Sequence, residues 1–365
     1  MTATQAIPTT APRGQSGRLP RLPRLDGESY QQFATALRSW INTDLRSAAG
    51  QAAADHLRAT GVDGDALDTE TLAGVLQAHP QVAMRTRCSI ACQQMTWTQL
   101  RAELARDEQL RHEELEAYDR RGPGSVQLDP TLEVPDYARH EVHLQPGGYV
   151  GDVLGGYLFH HGSNNFYQGQ NDQDQFQVGV AQCIQPAGGP LARIVDLGCG
   201  VGQLTVALKE RFPQAEVHGL DIAAPMLRYA HLRAVDLGVD VHFRQTLAHR
   251  TGFADSAVDL VTAYILFHEV PAEVGRAIVA EAYRILRPGG VLEVFDFQTP
   301  LTAASPYYRY AIWVDHRFNN EPWSVEFLQS DFMATLRSAG FAAEFGGVER
   351  WAVHRYRGLK PNALS

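Results

Sequence analysis

The hydrophobic positions change rhythm along the chain. Between 27 and 121 they return every three or four residues, as at Tyr30, Phe33, Leu37, Trp40 and Ile41, which is one face of a helix. Asp68 is placed to cap a short helix carrying Leu72, Val75 and Leu76. A long helical stretch over 81–121 then runs into Gly122-Pro123-Gly124, a strong breaker. Residues 125–150, with Pro130, Pro135 and Pro146, predict an extended connection. A further helical stretch carries Leu154, Tyr157, Leu158, Phe166, Tyr167, Phe176 and Val180. Its polar middle, His160-His161-Gly162-Ser163-Asn164-Asn165, leaves one helix or two helices with a break as alternatives.

After Pro190 short apolar runs alternate with helical periods. Strands are predicted over 194–197, 217–221, 241–243, 258–267 and 291–297, and helices over 201–212, 225–237 and 271–286. This alternation predicts a Rossmann-like, doubly wound α/β fold: a mostly parallel sheet with helices on both faces, preceded by a helical N-terminal domain. The expected organisation is an unstructured tail over 1–24, a helical domain over 25–150 that caps a pocket or mediates a homodimer, and an α/β domain over 151–365 with an insertion at 303–323. No internal repeat is visible.

Composition narrows the partners. The net charge is −9, the wrong sign for a chain whose main partner is nucleic acid. Only Lys209 and Lys360 are lysines among 32 basic residues; with abundant alanine and glycine, this suggests a GC-rich bacterial genome. The 4 cysteines do not make a disulfide framework, the N-terminus has no apolar leader, and no run of about 18 apolar residues exists to span a membrane. A cytoplasmic protein acting on a small molecule is the expectation, with no nucleic acid and no membrane as partner.

The strongest motif is Asp196-Leu197-Gly198-Cys199-Gly200-Val201-Gly202, which follows a buried strand and opens a helix. Glycines there let the backbone turn tightly and approach a ligand with no side chain between. The next strand ends in Asp221, where a carboxylate can accept both hydroxyls of a ribose. A dinucleotide loop would place its third glycine at Gln203. Asp196, just before the loop, would also repel a pyrophosphate.

The segment 194–297 resembles the class I S-adenosylmethionine (SAM)-dependent methyltransferases of the ubiquinone/menaquinone type. The resemblance rests on the acidic glycine loop, on Asp221, on the stretch from Phe253-Ala254-Asp255 to Leu260-Val261, on Phe267-His268-Glu269, and on Arg287-Pro288-Gly289-Gly290. It implies SAM as cofactor and S-adenosylhomocysteine as product. Asp196, Gly198, Gly200 and Gly202 would hold the methionine part, Asp221 the ribose, and Ile222 and Met226 the adenine. Where such proteins often carry an Asp or Asn on the adenine amino group, this chain has Thr246-Leu247-Ala248-His249. Recognition there falls to His249 or to the backbone of Ala248. Tyr167 is the expected aromatic cover of the sulfonium.

For chemistry, His268 at the end of the fourth strand is the candidate general base, with Glu269 beside it to hold one tautomer. Asp296 closes the fifth strand on the same edge and is a candidate for a substrate hydroxyl or amine. His160, His161, Glu269, Tyr307, Tyr308, Arg309 and Trp313 are candidate substrate contacts, and the aromatics with arginine over 303–323 suit a flat or anionic small molecule. No metal is expected: His140-Glu141-Val142-His143 lacks the H-E-x-x-H spacing that puts two His on one helix face. Nor does Leu266-Phe267-His268-Glu269 match the N/D-P-P-Y/F loop of adenine-N6 enzymes. The function expected is methyl transfer to O, N or C of a small, aromatic-type metabolite in specialised bacterial biosynthesis. Two alternatives are a SAM-binding cyclase-like enzyme that does not methylate and a SAM-binding regulatory or scaffold protein.

Overall fold

The computed structural model describes residues 15–16, 18–186, 188–297, 304–348 and 353–362. The chain begins with a minimal antiparallel pair, β1 (Gln15–Ser16) and β2 (Leu19–Pro20). Arg18 and Leu19 donate their backbone N–H groups to Asp172 O at 2.7 and 2.9 Å, and Leu19 and Leu22 are buried. The tail expected over 1–24 is therefore packed from residue 18 onward: single apolar side chains dock there without any helical or strand period. Residues 1–14 lie outside the described residues.

Helix α1 (Leu25–Trp40) passes through a π-helical turn, Ile41–Leu45, into α2 (Arg46–Thr60). Helix α3 (Thr69–Gln77) is capped by Asp68, which accepts from Thr71 N at 2.9 Å. The single helix predicted over 81–121 is two, α4 (Pro80–Ala105) and α5 (Glu108–Tyr118). Arg24 grips Glu103 and Asp107 at the bend, at 3.1 and 2.7 Å. In the connection that follows, β3 (Ser125–Gln127) pairs in parallel with a later strand, so the boundary expected at 150 does not separate the N-terminal segment from the sheet.

Helix α6 (Gly155–Phe166) runs unbroken through its polar middle, and the break falls between it and α7 (Gln175–Cys183). Gly162 makes the continuity intelligible: a Cβ there would lie 2.1 Å from the Trp97 ring of α4, so this polar face is packed against a helix. Strands and helices then alternate: β4 (Arg193–Leu197), α8 (Gln203–Arg211), β5 (Glu216–Asp221), α9 (Ala224–Asp236), β6 (His242–Gln245), β7 (Val258–Tyr264), α10 (Ala272–Ile285) and β8 (Leu286–Asp296). Strand β7 stops short of the predicted 267, and Phe267–Glu269 forms a 3₁₀ turn. Helices α11 (Pro306–Phe318), α12 (Ser324–Gln329) and α13 (Phe332–Ser338) precede the hairpin of β9 (Ala342–Val348) and β10 (His354–Leu359).

The main sheet has 8 strands in the order β3-β6-β5-β4-β7-β8-β10-β9, parallel except that β10 runs antiparallel to β8 and to β9. Ile194, Val195, Leu197, Val261, Ala263, Leu292 and Val294 are all buried, as expected of strands covered on both faces. The C-terminal ends of β4, β5, β7 and β8 open on one edge, beneath the N-terminal helices. In doubly wound sheets that edge is where ligands bind.

Candidate active site

The glycine loop leaves β4 and enters α8 through a tight reversal, with Cys199 N donating to Leu220 O at 3.0 Å and Gly202 N to Cys199 O at 2.9 Å. Gly200 has φ +53, and the nearest atom to a Cβ built on it is Met226 Cε, 3.9 Å away. The backbone is thus presented bare to open space. Gly202, also left-handed at φ +73, is different. A Cβ there would strike Phe243 Cζ at 2.7 Å, and the residue does not line the cavity. Its expected contact with cofactor is corrected to a packing role at the start of α8.

Asp221 closes β5 beneath this loop. Its Oδ2 accepts from Gly200 N at 2.9 Å and its Oδ1 from Ala223 N at 2.8 Å, while burial raises its pKa. A carboxylate offers about four lone-pair directions, so both oxygens keep capacity toward the cavity that Asp221 lines. Asp196 is the more enclosed carboxyl. Thr205 and Thr262 donate to its two oxygens at 2.7 and 2.8 Å, and burial lifts its pKa to about 7. It ties α8 and β7 to β4 under the loop. Ile222, Met226, Ala248, His249 and Tyr167 line the same cavity. The Tyr167 ring stacks on Phe176 at 4.7 Å, and its hydroxyl is 3.0 Å from that of Tyr264.

The loop is held from behind by Asp174, a residue that carried no sequence signal. Gln203 Nε2 donates to its Oδ1 at 2.7 Å, and Arg233 pairs with its Oδ2 at 2.5 Å while donating to Val201 O at 3.0 Å.

One cavity of about 510 Å³ is lined both by the glycine loop and His268 and, in what forms its far arm, by residues of α1, α2, α4 and α11. His268 lines it, with Nδ1 2.7 Å from Asp296 Oδ1 and with Nε2 making no hydrogen bond among the described residues. Asp296 is buried and does not line the cavity; it also accepts from the Phe267 and Phe297 backbone N–H groups, each at 2.8 Å. The expectation that Asp296 meets substrate is corrected: it holds the imidazole. Glu269, expected to do so, stands 3.8 Å from Nε2. Burial opposes charge on His268, yet the neighbouring Asp296 carboxylate outweighs it and raises the pKa above the ordinary value.

Glu269 instead accepts from the Tyr149 hydroxyl at 3.1 Å and faces His143 Nε2 at 3.4 Å, while His143 Nδ1 lies 2.9 Å from Glu321. Burial alone would deprotonate His143, but Glu321 and Glu269 hold its pKa at about 10. The His143 backbone is left-handed at φ 54, and Gln93 and Trp97 pin its carbonyl at 2.7 and 2.6 Å. Tyr149, His143 and Glu321 were missed from sequence. His143 appeared only within a segment tested for zinc spacing.

Several expected substrate contacts lie elsewhere. His160 is buried, with Nδ1 2.9 Å from the Tyr229 hydroxyl, and burial drives its pKa well down; His161 is held at about 3 by burial. Neither lines the cavity. On α11, Arg309 donates to the Gly64 and Leu67 carbonyls, both at 2.8 Å, and Trp313 Nε1 donates to Glu70 at 2.6 Å. These two, with Tyr307, dock α11 onto the N-terminal helices rather than meeting the cavity. Tyr308 does line it, together with Ala311, Ile312, Asp315 and Asn319, which recur at helical spacing on the other face. Residue 303 of the insertion lies outside the described residues.

Known proteins match this same region. Residues 194–290 match a family described as a methyltransferase domain. A ubiquinone/menaquinone biosynthesis C-methyltransferase of Desulfotalea psychrophila is 30% identical over 183 residues, 49% of this chain and 68% of that protein.

The chain belongs to the class I SAM-dependent methyltransferases.

A demethylmenaquinone methyltransferase of Thermus thermophilus is 44% identical over 108 residues, 30% of this chain and 48% of that protein. A trans-aconitate 2-methyltransferase of Azoarcus sp. is 34% identical over 151 residues, 41% and 53% of the two chains. The chain thus spans about half the length of the first curated relatives it matches. Among solved structures, an O-methyltransferase family protein of Burkholderia thailandensis aligns at a TM-score of 0.43 with 20% identity, covering 56% of this chain and 61% of that one. SAM is the cofactor of the class. The bare backbone at Gly200 and the lone pairs of Asp221 give it a fitting cradle. Among the described residues no helix is long and apolar enough to cross a membrane.

Proposed function

We propose that this chain transfers a methyl group from SAM to an oxygen, nitrogen or carbon atom of a small metabolite, as a step in specialised bacterial biosynthesis. The observation that carries the reading is the continuity of one cavity from the glycine loop to His268 and beyond. A scaffold that only held SAM would need no second arm.

SAM, when bound, supplies a methyl group on a charged sulfonium and leaves as S-adenosylhomocysteine. The remaining work falls to the chain. The backbone at Gly198 and Gly200 holds the amino-acid end, Asp221 accepts from the ribose hydroxyls, and Ile222, Met226 and Ala248 enclose the base. Tyr167 and Phe176 close the site against water. His268 Nε2, with Nδ1 committed to Asp296, accepts the proton that the nucleophile releases. The charged His143 and the Tyr149 hydroxyl hold Glu269 away from that ring.

Replacing the base tests the assignment. In His268→Ala, turnover followed by S-adenosylhomocysteine release with a panel of phenols, enols and amines should fall by about 100-fold or more. SAM affinity by calorimetry should stay within about twofold, the bound of a replacement that touches no cofactor atom. Undiminished turnover removes His268 as the base.

A further inference from the structure

The far arm of the cavity holds an unusual set of cations: Arg38 from α1, Arg46 from α2 and Arg85 from α4. A buried guanidinium is costly unless it is paired. Arg38 lies over the Phe166 ring, 4.6 Å from its centroid, and donates through Nη1 to the neutral Gln93 amide oxygen. Arg85, 7% exposed, donates through Nη2 to the neutral Asn42 oxygen at 3.3 Å. The Nε of each is buried and makes no hydrogen bond among the described residues. Neither guanidinium forms an ion pair with a described carboxylate. Asp315 lines the same arm from α11, close enough that both arginines act on its charge without touching it.

We propose that this arm is a carboxylate subsite, in which Arg38 and Arg85 grip the anionic end of a small substrate while its acceptor atom lies toward His268. The inference rests on the methyltransferase reading and names the substrate class of that site. Guanidinium forks match the planar carboxylate, which two parallel N–H bonds can grip. Asp315, Glu321 and Glu269 share the cavity and would repel a dianion, so a single negative charge is selected over a phosphate monoester. Phe166 and Tyr308 offer apolar faces to the body of the molecule. A neutral substrate would leave both guanidinium groups buried without a direct ion pair.

Ligand-observed NMR titrations of the full chain, saturated with S-adenosylhomocysteine, test this with benzoate, the uncharged benzamide and inorganic phosphate. Benzoate should bind about tenfold or more tighter than either of the others, the range of a charge-assisted pair. Arg38→Gln and Arg85→Gln should each weaken benzoate by about tenfold while leaving S-adenosylhomocysteine affinity unchanged. Equal binding of benzoate and benzamide by the wild type, tighter binding of phosphate, or unchanged benzoate affinity in folded variants would overturn the proposal. The wild-type comparison stands whether or not the variants fold. Failure of the wild type to bind S-adenosylhomocysteine would instead defeat the methyltransferase reading, and the benzoate–benzamide comparison without it would still decide the subsite.

Discussion

Two carboxyl groups compete for the imidazole of His268. Glu269, its neighbour in sequence, loses to Asp296, which arrives from the end of β8 and meets Nδ1 at 2.7 Å. Adjacency in sequence pointed to the wrong partner because consecutive residues in a turn diverge, whereas the ends of neighbouring parallel strands converge. The pairing has a pH consequence. A His whose pKa is raised stays protonated, and useless as a base, to a higher pH than an ordinary one. Turnover should therefore rise along a limb on the alkaline side of the ordinary His value of about 6.5. Asp296→Asn removes the charge that raises it. The limb should move to lower pH, and maximal turnover should fall by about 100-fold or more as the tautomer is lost. A kcat–pH profile with the limb unmoved would show that Asp296 does not govern this ring.

At the scale of elements, α11 shows what a sequence can and cannot say. Its aromatics and arginine were legible as a cluster with a role, and the face at 308, 311, 312, 315 and 319 was present in the spacing. Which face meets the cavity depends on where α3 docks, and Arg309 and Trp313 decide that through contacts some 240 residues away in sequence. The loop entering α8 is the opposite case: a local motif predicted a tight reversal, and the reversal is there. The individual glycines nonetheless differ. Gly202→Ala introduces a Cβ at a left-handed residue and against Phe243, and should cost about 2 kcal/mol or more in urea unfolding. Gly74→Ala, in the helical interior of α3 with nothing within 4 Å of the added atom, should gain about 0.5–1 kcal/mol. A shift of only a few tenths at Gly202 would contradict the packing described for α8.

At the scale of the whole molecule, the alternation of apolar runs after 190 was enough to read β4 to β8 and hence the cofactor edge, since each buried parallel strand announces itself locally. Strands β3, β9 and β10 were not legible. Strands β3 and β9 are the two edges of the sheet and stay largely exposed, and β10 reaches β8 only after three intervening helices and β9. The same division runs through the cavity. The cofactor end lies within the stretch shared with the methyltransferase-domain family, while the far arm is assembled by α1, α2, α4 and α11, all outside it. The proposed substrate side thus lies outside the family match, and its arginines became visible as a group only when the helices were folded over the sheet. The proposed methyl transfer depends on the cradle formed by Gly200 and Asp221. Calorimetric titration of S-adenosylhomocysteine into the wild type and Asp221→Ala tests it most directly. Saturable binding is expected of the wild type and a loss of about 100-fold or more of the variant, the scale of a lost charge-assisted pair of ribose hydrogen bonds. Equal affinity in the two proteins, or no binding to either, would contradict it.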